Sequence, residues 1–396
     1  MDFFNPCLFH PSSERKTIAL MQEIGADQQG IEIMALKAQV LLVRMENISL
    51  QQAQIIKQEM LARGGDASVH RDVAALEKPI SNILISGSEN QIRQMARKLR
   101  GQPFGLREVG MCLLSFLRER KPPPIYKKEL SPFLGDQTRV MGIVNCTPDS
   151  FSDGDLYDTL DKQVAKACLL AEQGADILDI GGESTRPKAD AVSAQEEKER
   201  VIPLIQALKG KVSCSISIDT YKASVAEAAV AAGAHIINDI SGGLFDPEIL
   251  TVAAKAKSMI ILSHCGLKHG QSHINSCPTS QVVKELRQRI EAALSAGVAP
   301  EKIILDPGLG FGKRPEENLA LLNQLEAIIA LGYPVLVGAS RKSFIGSVLD
   351  LPFKERLEGS IASAVIAAYQ GAHIVRVHDV LETARACRMA CAIKNS

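Results

Sequence analysis

Val212-Ser-Cys-Ser-Ile-Ser-Ile-Asp219-Thr220 is a β-branched run that ends on a carboxylate, and Tyr221-Lys222 opens an alanine-rich helical pattern directly behind it. A buried strand that delivers an acid as it ends either caps the next helix or contributes to a site. The same event recurs on both sides. Ile177-Leu-Asp-Ile180 runs into Gly181-Gly-Glu-Ser-Thr-Arg-Pro187, His235-Ile-Ile ends in Asn238-Asp239, and Ile303-Ile-Leu305 ends in Asp306-Pro-Gly. Apolar strand, polar tip, helix, repeated, predicts a parallel barrel whose strand ends line one pocket.

Working outward, strands are expected at 140–145, 177–180, 212–219, 236–239, 259–264, 303–306, 335–339 and 374–377. Amphipathic stretches of helical length lie between them, at 160–173, 194–208, 223–232, 247–256, 282–296, 315–330 and 357–370, and 383–393 closes the series. Eight strands and eight helices in a region of roughly 250 residues fit a (β/α)8 TIM barrel. A doubly wound open sheet does not easily take eight regular units. Several helices end in a small-residue signature, Gln173-Gly-Ala-Asp, Ala232-Gly-Ala-His and Gln370-Gly-Ala-His. Glycine there supplies the positive φ of a helix C-cap, and alanine lets the next strand start close to it.

Residues 1–120 read as a separate small α+β domain. Helices are expected at 13–24, 49–63, 89–100 and 106–118, with strands at 39–46 and 82–86. The second helix stops at Gly64-Gly65, as a left-handed cap requires. Arg93, Arg97, Lys98 and Arg100 read as a solvated helix face. Lys121-Pro-Pro-Pro124 opens a proline-rich linker over 121–137, and the barrel takes 138–396.

The 396 residues carry 45 Lys plus Arg against 45 Asp plus Glu, so no global charge points to nucleic acid or anionic lipid. No apolar run approaches the roughly 20 residues that a membrane helix needs. The start, Met1-Asp-Phe-Phe-Asn-Pro, lacks the basic and apolar regions of a secretory signal. Nine cysteines without a C-x-x-C pair fit reduced thiols, and the expected location is cytoplasmic.

In a parallel barrel the chemistry lies at the C-terminal strand ends. Collected there are Asn145, the 183–187 loop, Asp219, Asn238, His264, Asp306, Ser340-Arg-Lys-Ser343, Arg376 and His378. A single strand-end acid is a helix cap more often than a ligand group, but so many polar ends at one mouth exceed what capping needs. Asp219, Asn238 and Asp306 could match the N–H and C=O rim of a flat heterocycle such as a pterin or purine. Arg341, Lys342, Arg376 and His378 form a cationic half suited to an anion, with Arg376 and His378 on one face by the period of two. Asn145 and the 142–154 loop bring oxygens where Mg2+ could bridge protein and phosphate. Phe151 and Phe311 are stacking surfaces or packing. The long loops at 147–154 and 181–187 are of a kind that closes over a reacting centre.

Met141-Gly-Ile-Val-Asn-Cys-Thr-Pro-Asp-Ser-Phe-Ser-Asp-Gly154 and Gly181-Gly-Glu-Ser-Thr-Arg-Pro187 resemble the two signature loops of the dihydropteroate synthase family. Ser217-Ile-Asp-Thr, Ile237-Asn-Asp-Ile-Ser-Gly242, Asp306-Pro-Gly-Leu-Gly-Phe-Gly-Lys313, Ser340-Arg-Lys-Ser343 and Arg376-Val-His-Asp379 complete the family's set in order, over about 138–396. The resemblance implies a pterin-binding barrel that joins 6-hydroxymethyl-7,8-dihydropterin diphosphate to 4-aminobenzoate with Mg2+, as a homodimer and a sulfonamide target. By position, Asp219, Asn238, Asp306 and Lys342 would hold the pterin. Asn145, Arg376 and His378 would hold the pyrophosphate and its metal. Thr185, Arg186, Pro187 and Ser343 would frame the aminobenzoate, with Arg341 shaping that side, and Phe311 is a further substrate-binding candidate. No protein nucleophile is implied, so the cysteines have no expected catalytic role.

The chain departs from the family after the fifth barrel strand. Where the family has Leu-Met-His and then Pro-x-x-Met, this sequence reads Leu262-Ser-His-Cys-Gly266 and then Lys268-His-Gly-Gln-Ser-His273. The pocket wall at Ser263 is therefore expected to be smaller and more polar. The spacing of His264, Cys265, His269 and His273 is too irregular to argue for a metal cluster. Two other classes remain open. A folate-to-corrinoid methyl transferase would keep the Asp and Asn but has no need of the Arg376/His378 pair or the Ser-Arg-Lys-Ser loop. A non-catalytic pterin-binding protein would be expected to lose charged strand-end groups.

Overall fold

Alternation along each barrel strand sorts the side chains into two cores. The computed structural model describes residues 14–71, 80–119, 137–146, 156–183, 192–266 and 278–395. The 121–137 linker expected from sequence, the 147–154 loop, and residues 185–187 with His269 and His273 lie wholly or almost wholly outside these. The chain divides into two compact units, Met1–Lys121 and Pro122–Ser396.

The first unit runs α1 (Glu14–Glu23), α2 (Gln28–Ala38), β1 (Leu41–Ser49), α3 (Leu50–Leu61), β2 (Asp66–Val69), β3 (Ile80–Gly87), α4 (Glu89–Leu99) and α5 (Leu106–Glu119). The strands form an antiparallel sheet in the order β1-β3-β2. Helices α3 and α4 start alike, with Ser49–Gln52 and Ser88–Gln91 capping boxes that satisfy orphan N–H groups at each first turn. Ile56, Met60, Ile85, Met95 and Leu113 sit in one buried cluster of this unit. Helix α2 and strand β2 are additions to the sequence reading, because a mixed apolar pattern and a four-residue edge strand carry weak periodicity.

The second unit runs β4 (Arg139–Asn145), α6 (Leu156–Glu172), β5 (Ile177–Gly181), α7 (Ala194–Leu208), β6 (Ser215–Asp219), α8 (Ala223–Ala232), β7 (Ile236–Asp239), α9 (Glu248–Ala256), β8 (Met259–Ser263), α10 (Pro278–Ser295) and β9 (Ile303–Asp306). It continues through α11 (Pro315–Asn323), α12 (Glu326–Ile329), β10 (Leu336–Val337), α13 (Ser343–Leu349), α14 (Leu357–Gln370), β11 (Ile374–Val377) and α15 (Val380–Asn395). All eight strands are parallel, ordered β10-β11-β4-β5-β6-β7-β8-β9, and a parallel bridge between Leu305 and Val335 joins the two ends into a closed barrel. The expected (β/α)8 architecture is the one observed.

Two strands are shorter than expected, one helix is broken, and α13 is an addition to the sequence reading. The strand expected at 212–219 starts only at Ser215, and the one at 335–339 pairs as a ladder only at Leu336–Val337. The helix expected at 315–330 breaks into α11 and α12, because Gln324 leaves helical geometry at φ −111° and ψ 33°.

The Gly-Ala-Asp/His corners do more than cap helices. Asp176 N–H donates to Val140 O at 2.8 Å while its carboxylate accepts from Val140 N–H at 2.9 Å. His235 treats Ile216 the same way, at 2.8 and 3.1 Å, and His373 treats Val335 likewise at 2.8 and 3.1 Å. Each side chain thus extends the β ladder by one rung onto the preceding strand, which fixes sequential strands as neighbours. Burial pushes the His373 imidazole down to about 4, so it stays a neutral acceptor.

Outward-facing residues such as Ile180, Ile218, Ile237, Leu262 and Val377 pack against the helices. Inward-facing Met141, Ile177, Ile236, Met259, Ile261, Ile304, Leu336 and Ile374 form a separate, buried plug inside the barrel. Because the plug fills the N-terminal part of the barrel, the next inward positions toward the C-terminal ends sit on an apolar floor. Most of those positions are polar, with Ile143 and Gly338 as exceptions.

Every strand-end candidate belongs to the second unit, and the first unit has its own core. Removal of residues 1–137 is therefore expected to leave a folded barrel with its activity. Circular dichroism and product formation check this, and a folded but inactive truncation would give the first unit a part in the site or the assembly.

Candidate active site

The polar layer above the plug is built from register neighbours. Asp179 lies opposite Ser217, Asp219 opposite Asn238, and Ser263 opposite Asp306. Arg376 on β11 reaches past β4 and donates twice to carboxylates, from Nη2 to Asp219 Oδ2 at 2.6 Å and from Nε to Asp179 Oδ2 at 2.6 Å. Asp179 is fully buried, and its Oδ2 also accepts from Asn238 Nδ2 at 3.0 Å. Ser263 donates to Asp306 Oδ2 at 3.3 Å, and Asp306 Oδ1 accepts from Gly308 N–H at 2.8 Å. Lys342 Nζ donates to the Leu309 carbonyl and lies 4.3 Å from the centroid of the Phe311 ring.

Charge in this layer is concentrated and poorly hydrated. Burial pushes the Asp219 carboxyl up to about 7, a rise that Arg376 opposes and the neighbouring Asp179 reinforces. Burial alone would lower the Arg376 pKa, but Asp179 and Asp219 outweigh it and hold the guanidinium firmly charged. Burial brings Lys342 down to about 8, with Asp306 pulling the other way. Asp239, next to Asn238 but facing outward, is structural: it accepts from Ser241 N–H and Oγ at 2.8 Å each and from Gly243 N–H at 2.6 Å.

Two glycines let the 306–313 loop approach. A Cβ on Gly308, at φ +64°, would lie 1.9 Å from His264 O, and one on Gly310, at φ +81°, would lie 2.7 Å from Lys342 Cδ. Lys313 pins the same loop by donating to the His264, Gly308 and Phe311 carbonyls at 3.2, 2.7 and 3.2 Å.

The other candidates take separate places. Arg341 sits at φ 57°, its N–H donates to Ser360 Oγ at 2.9 Å, and its side chain grips Asp379 at 3.0 and 2.6 Å. It thereby ties the 340–343 loop to the end of β11. His378 Nδ1 lies 3.0 Å from Ser340 Oγ, so His378 is held at that loop while Arg376 turns inward. The sequence reading put both on one face as an anion clamp; the structure couples Arg376 first to the acids of the heterocycle half. Ser343 is exposed at the start of α13, Asn145 is half-buried at the tip of β4, and Phe311 is half-buried. Thr185, Arg186 and Pro187 lie outside the described residues, as does Phe151.

Three features were not read from sequence as parts of the site. Asp179 is the first, and an acid in the middle of a short apolar strand was its signal. Ser217, from the Ser217-Ile-Asp-Thr motif, is the second: its hydroxyl is buried beside Asp179. The third is Lys222, whose Nζ donates to Glu183 and Glu197 at 2.6 Å each and to Val192 O at 2.7 Å, joining residues 183 and 192. Ser263, expected to leave a more polar wall, spends its hydroxyl on Asp306. Ser263→Ala should weaken pterin binding by about 1 kcal/mol, the worth of one such bond. Calorimetric titration checks this, and unchanged affinity would mean that Asp306 is oriented by Gly308 alone.

For Mg2+, no group of three or more His, Cys, Asp or Glu side chains converges among the described residues. Asn145, half-buried at the tip of β4, carries an amide oxygen, a hard donor of the kind Mg2+ takes beside waters and phosphate oxygens. Burial pushes the thiol of Cys146, beside Asn145, up to about 12.

A family described as pterin binding enzyme matches residues 141–378. The dihydropteroate synthase of Synechocystis is 48% identical over 288 residues, which cover 72% of this chain and 99% of that protein. The chain belongs to the dihydropteroate synthase family. A solved dihydropteroate synthase from Clostridium difficile, determined in the presence of pteroic acid, matches with a TM-score of 0.64 and 45% identity, covering 66% of this chain and 99% of that one. A Halobacterium salinarum protein described as a probable bifunctional folylpolyglutamate synthase/dihydropteroate synthase is 42% identical over 346 residues, 87% of this chain and 42% of its own length. That span is longer than the barrel unit, so the likeness to this dihydropteroate synthase relative extends into the first unit.

Proposed function

We propose that this chain joins 6-hydroxymethyl-7,8-dihydropterin diphosphate to 4-aminobenzoate, giving 7,8-dihydropteroate and pyrophosphate. The observation that carries this reading is the layer of Asp179, Asp219, Asn238 and Asp306 on an apolar floor, with Lys342 and Arg376 as the cations set among them. Carboxylates and an amide in a pocket with few competing waters suit the alternating N–H and C=O edge of a pterin. Asp219, Asn238, Asp306 and Lys342 hold that edge. Asn145, Arg376 and His378 serve the diphosphate side, and Thr185, Arg186, Pro187, Phe311 and Ser343 the aminobenzoate side.

In the reaction the bond between the pterin methylene carbon and the diphosphate oxygen breaks, and its electron pair leaves with pyrophosphate. The amine nitrogen of 4-aminobenzoate gives its lone pair to the same carbon and then loses a proton. Positive charge that develops at the methylene spreads into the electron-rich pterin, beside Asp179 and Asp219. The Arg376 guanidinium keeps its inner edge on these carboxylates while its charge favours the departing anion. Mg2+, when bound at Asn145 with the diphosphate, supplies neutralisation of the leaving group. The thiols take no part.

The protein is further proposed to act as a homodimer in the cytoplasm, with small molecules rather than nucleic acid or membrane as partners. No helix among the described residues is long and apolar enough to cross a membrane. Incubation with both substrates and Mg2+, followed by mass analysis, tests the reading: dihydropteroate is expected, and its absence from folded protein would sink it.

A further inference from the structure

Asp179 is not among the residues placed against the pterin edge, the diphosphate or the aminobenzoate, yet the pocket's geometry converges on it. Its Oδ2 takes two donors from opposite sides of the barrel, Asn238 Nδ2 at 3.0 Å and Arg376 Nε at 2.6 Å. Its Oδ1 is buried with no hydrogen-bond partner among the described residues, and so is the hydroxyl of Ser217, its register neighbour on β6. A primary amide can turn either its oxygen or its NH2 toward a neighbour, and the network decides which. An oxygen that already accepts from a guanidinium can face only the NH2 of Asn238. The amide oxygen of Asn238 must then point away from Asp179.

We propose that Asp179 is a positioning residue: it fixes Asn238 as a hydrogen-bond acceptor toward the heterocycle and sets the inner edge of Arg376. The inference rests on the pterin reading of the pocket and deepens it by assigning a polarity. The ligand must present an N–H, not a ring nitrogen lone pair, to the Asn238 amide oxygen. Without Asp179 the amide is free to turn its NH2 inward, where it opposes that N–H.

Two substitutions separate orientation from charge. Asp179→Ala removes the acceptor. Asp179→Asn keeps one carbonyl oxygen that can face both donors, so the fold should tolerate it. The probe is 6-hydroxymethylpterin, without diphosphate, titrated calorimetrically into wild type and both variants. Asp179→Ala should bind at least about tenfold more weakly, the loss expected from one misdirected buried hydrogen bond. Asp179→Asn should stay within about threefold of wild type, an ordinary margin for a retained bond. In steady state, the KM for the pterin diphosphate should rise in Asp179→Ala while that for 4-aminobenzoate stays put. Wild-type affinity in Asp179→Ala would overturn the proposal. So would Asp179→Asn losing tenfold or more, which would make charge rather than orientation decisive. The asparagine variant decides the matter even if the alanine variant does not fold. If wild type itself fails to bind the pterin, the functional reading fails instead, which is a distinct result.

Discussion

Arg376→Ala should lower turnover by roughly 10²-fold or more, the size of effect seen when one donor aimed at developing charge is removed. Two causes act together. The departing pyrophosphate gains charge as the C–O bond breaks, and a fixed cation beside it lowers the barrier more than it strengthens ground-state binding. Arg376 is also the hydrogen-bonded counter-ion of Asp179 and Asp219, whose side chains are 0% and 9% exposed. Breaking such a buried arrangement by removing one partner costs on the order of 3–5 kcal/mol. Stability and turnover should therefore fall together in the alanine variant. Arg376→Lys separates them: it keeps the charge, but a single ammonium cannot reproduce the two-armed contact. The lysine variant should be the more stable of the two and still clearly slower than wild type. Steady-state pyrophosphate release and thermal unfolding on all three proteins provide the check. Wild-type turnover in either variant would make Arg376 purely structural.

Asp219→Asn should weaken binding of the pterin by about 1–3 kcal/mol, because a carboxylate that accepts N–H bonds becomes an amide that presents a donor to a donor. The same substitution should remove a pH dependence. With its carboxyl pushed up to about 7, Asp219 in the free protein holds a proton that an unfolded aspartate, near about 3.9, has already lost. The folded state binds that proton more tightly, so its contribution to stability is complete below about pH 4 and disappears as pH rises through about 7. Relative to Asp219→Asn, wild type should lose melting temperature across that window. Ligand affinity should run the opposite way. The carboxyl must be ionised for both of its oxygens to accept N–H bonds, so pterin affinity of the wild type should climb toward pH 7 and level off above it. Titrations at several pH values test both slopes, and a flat affinity profile for wild type would remove Asp219 from the heterocycle's contacts.

Much of the barrel was legible because each strand carries its own end signal. The carboxylate at Asp219 and the Gly-Ala-Asp/His corners fix where strands stop and start, and the corners further turn out to hold neighbouring strands together through Asp176, His235 and His373. Less legible was anything set by distance across the barrel. Asp179 is one acid in a run of apolar residues, and its meaning comes from Arg376, 197 positions later. Period-two reasoning put Arg376 and His378 on one face, but cannot say that one long side chain folds onto two carboxylates while the other stays at Ser340. Helix breaks such as that at Gln324 are also hidden, since the apolar pattern of α11 continues into α12.

The most direct test is the rate of pyrophosphate release from 6-hydroxymethyl-7,8-dihydropterin diphosphate with Mg2+, measured with and without 4-aminobenzoate. Sustained release that depends on 4-aminobenzoate, matched one for one by dihydropteroate, is the expected result. Tight binding of the pterin diphosphate with no release in the presence of 4-aminobenzoate would contradict it and leave a pterin-binding barrel that does not catalyse the condensation.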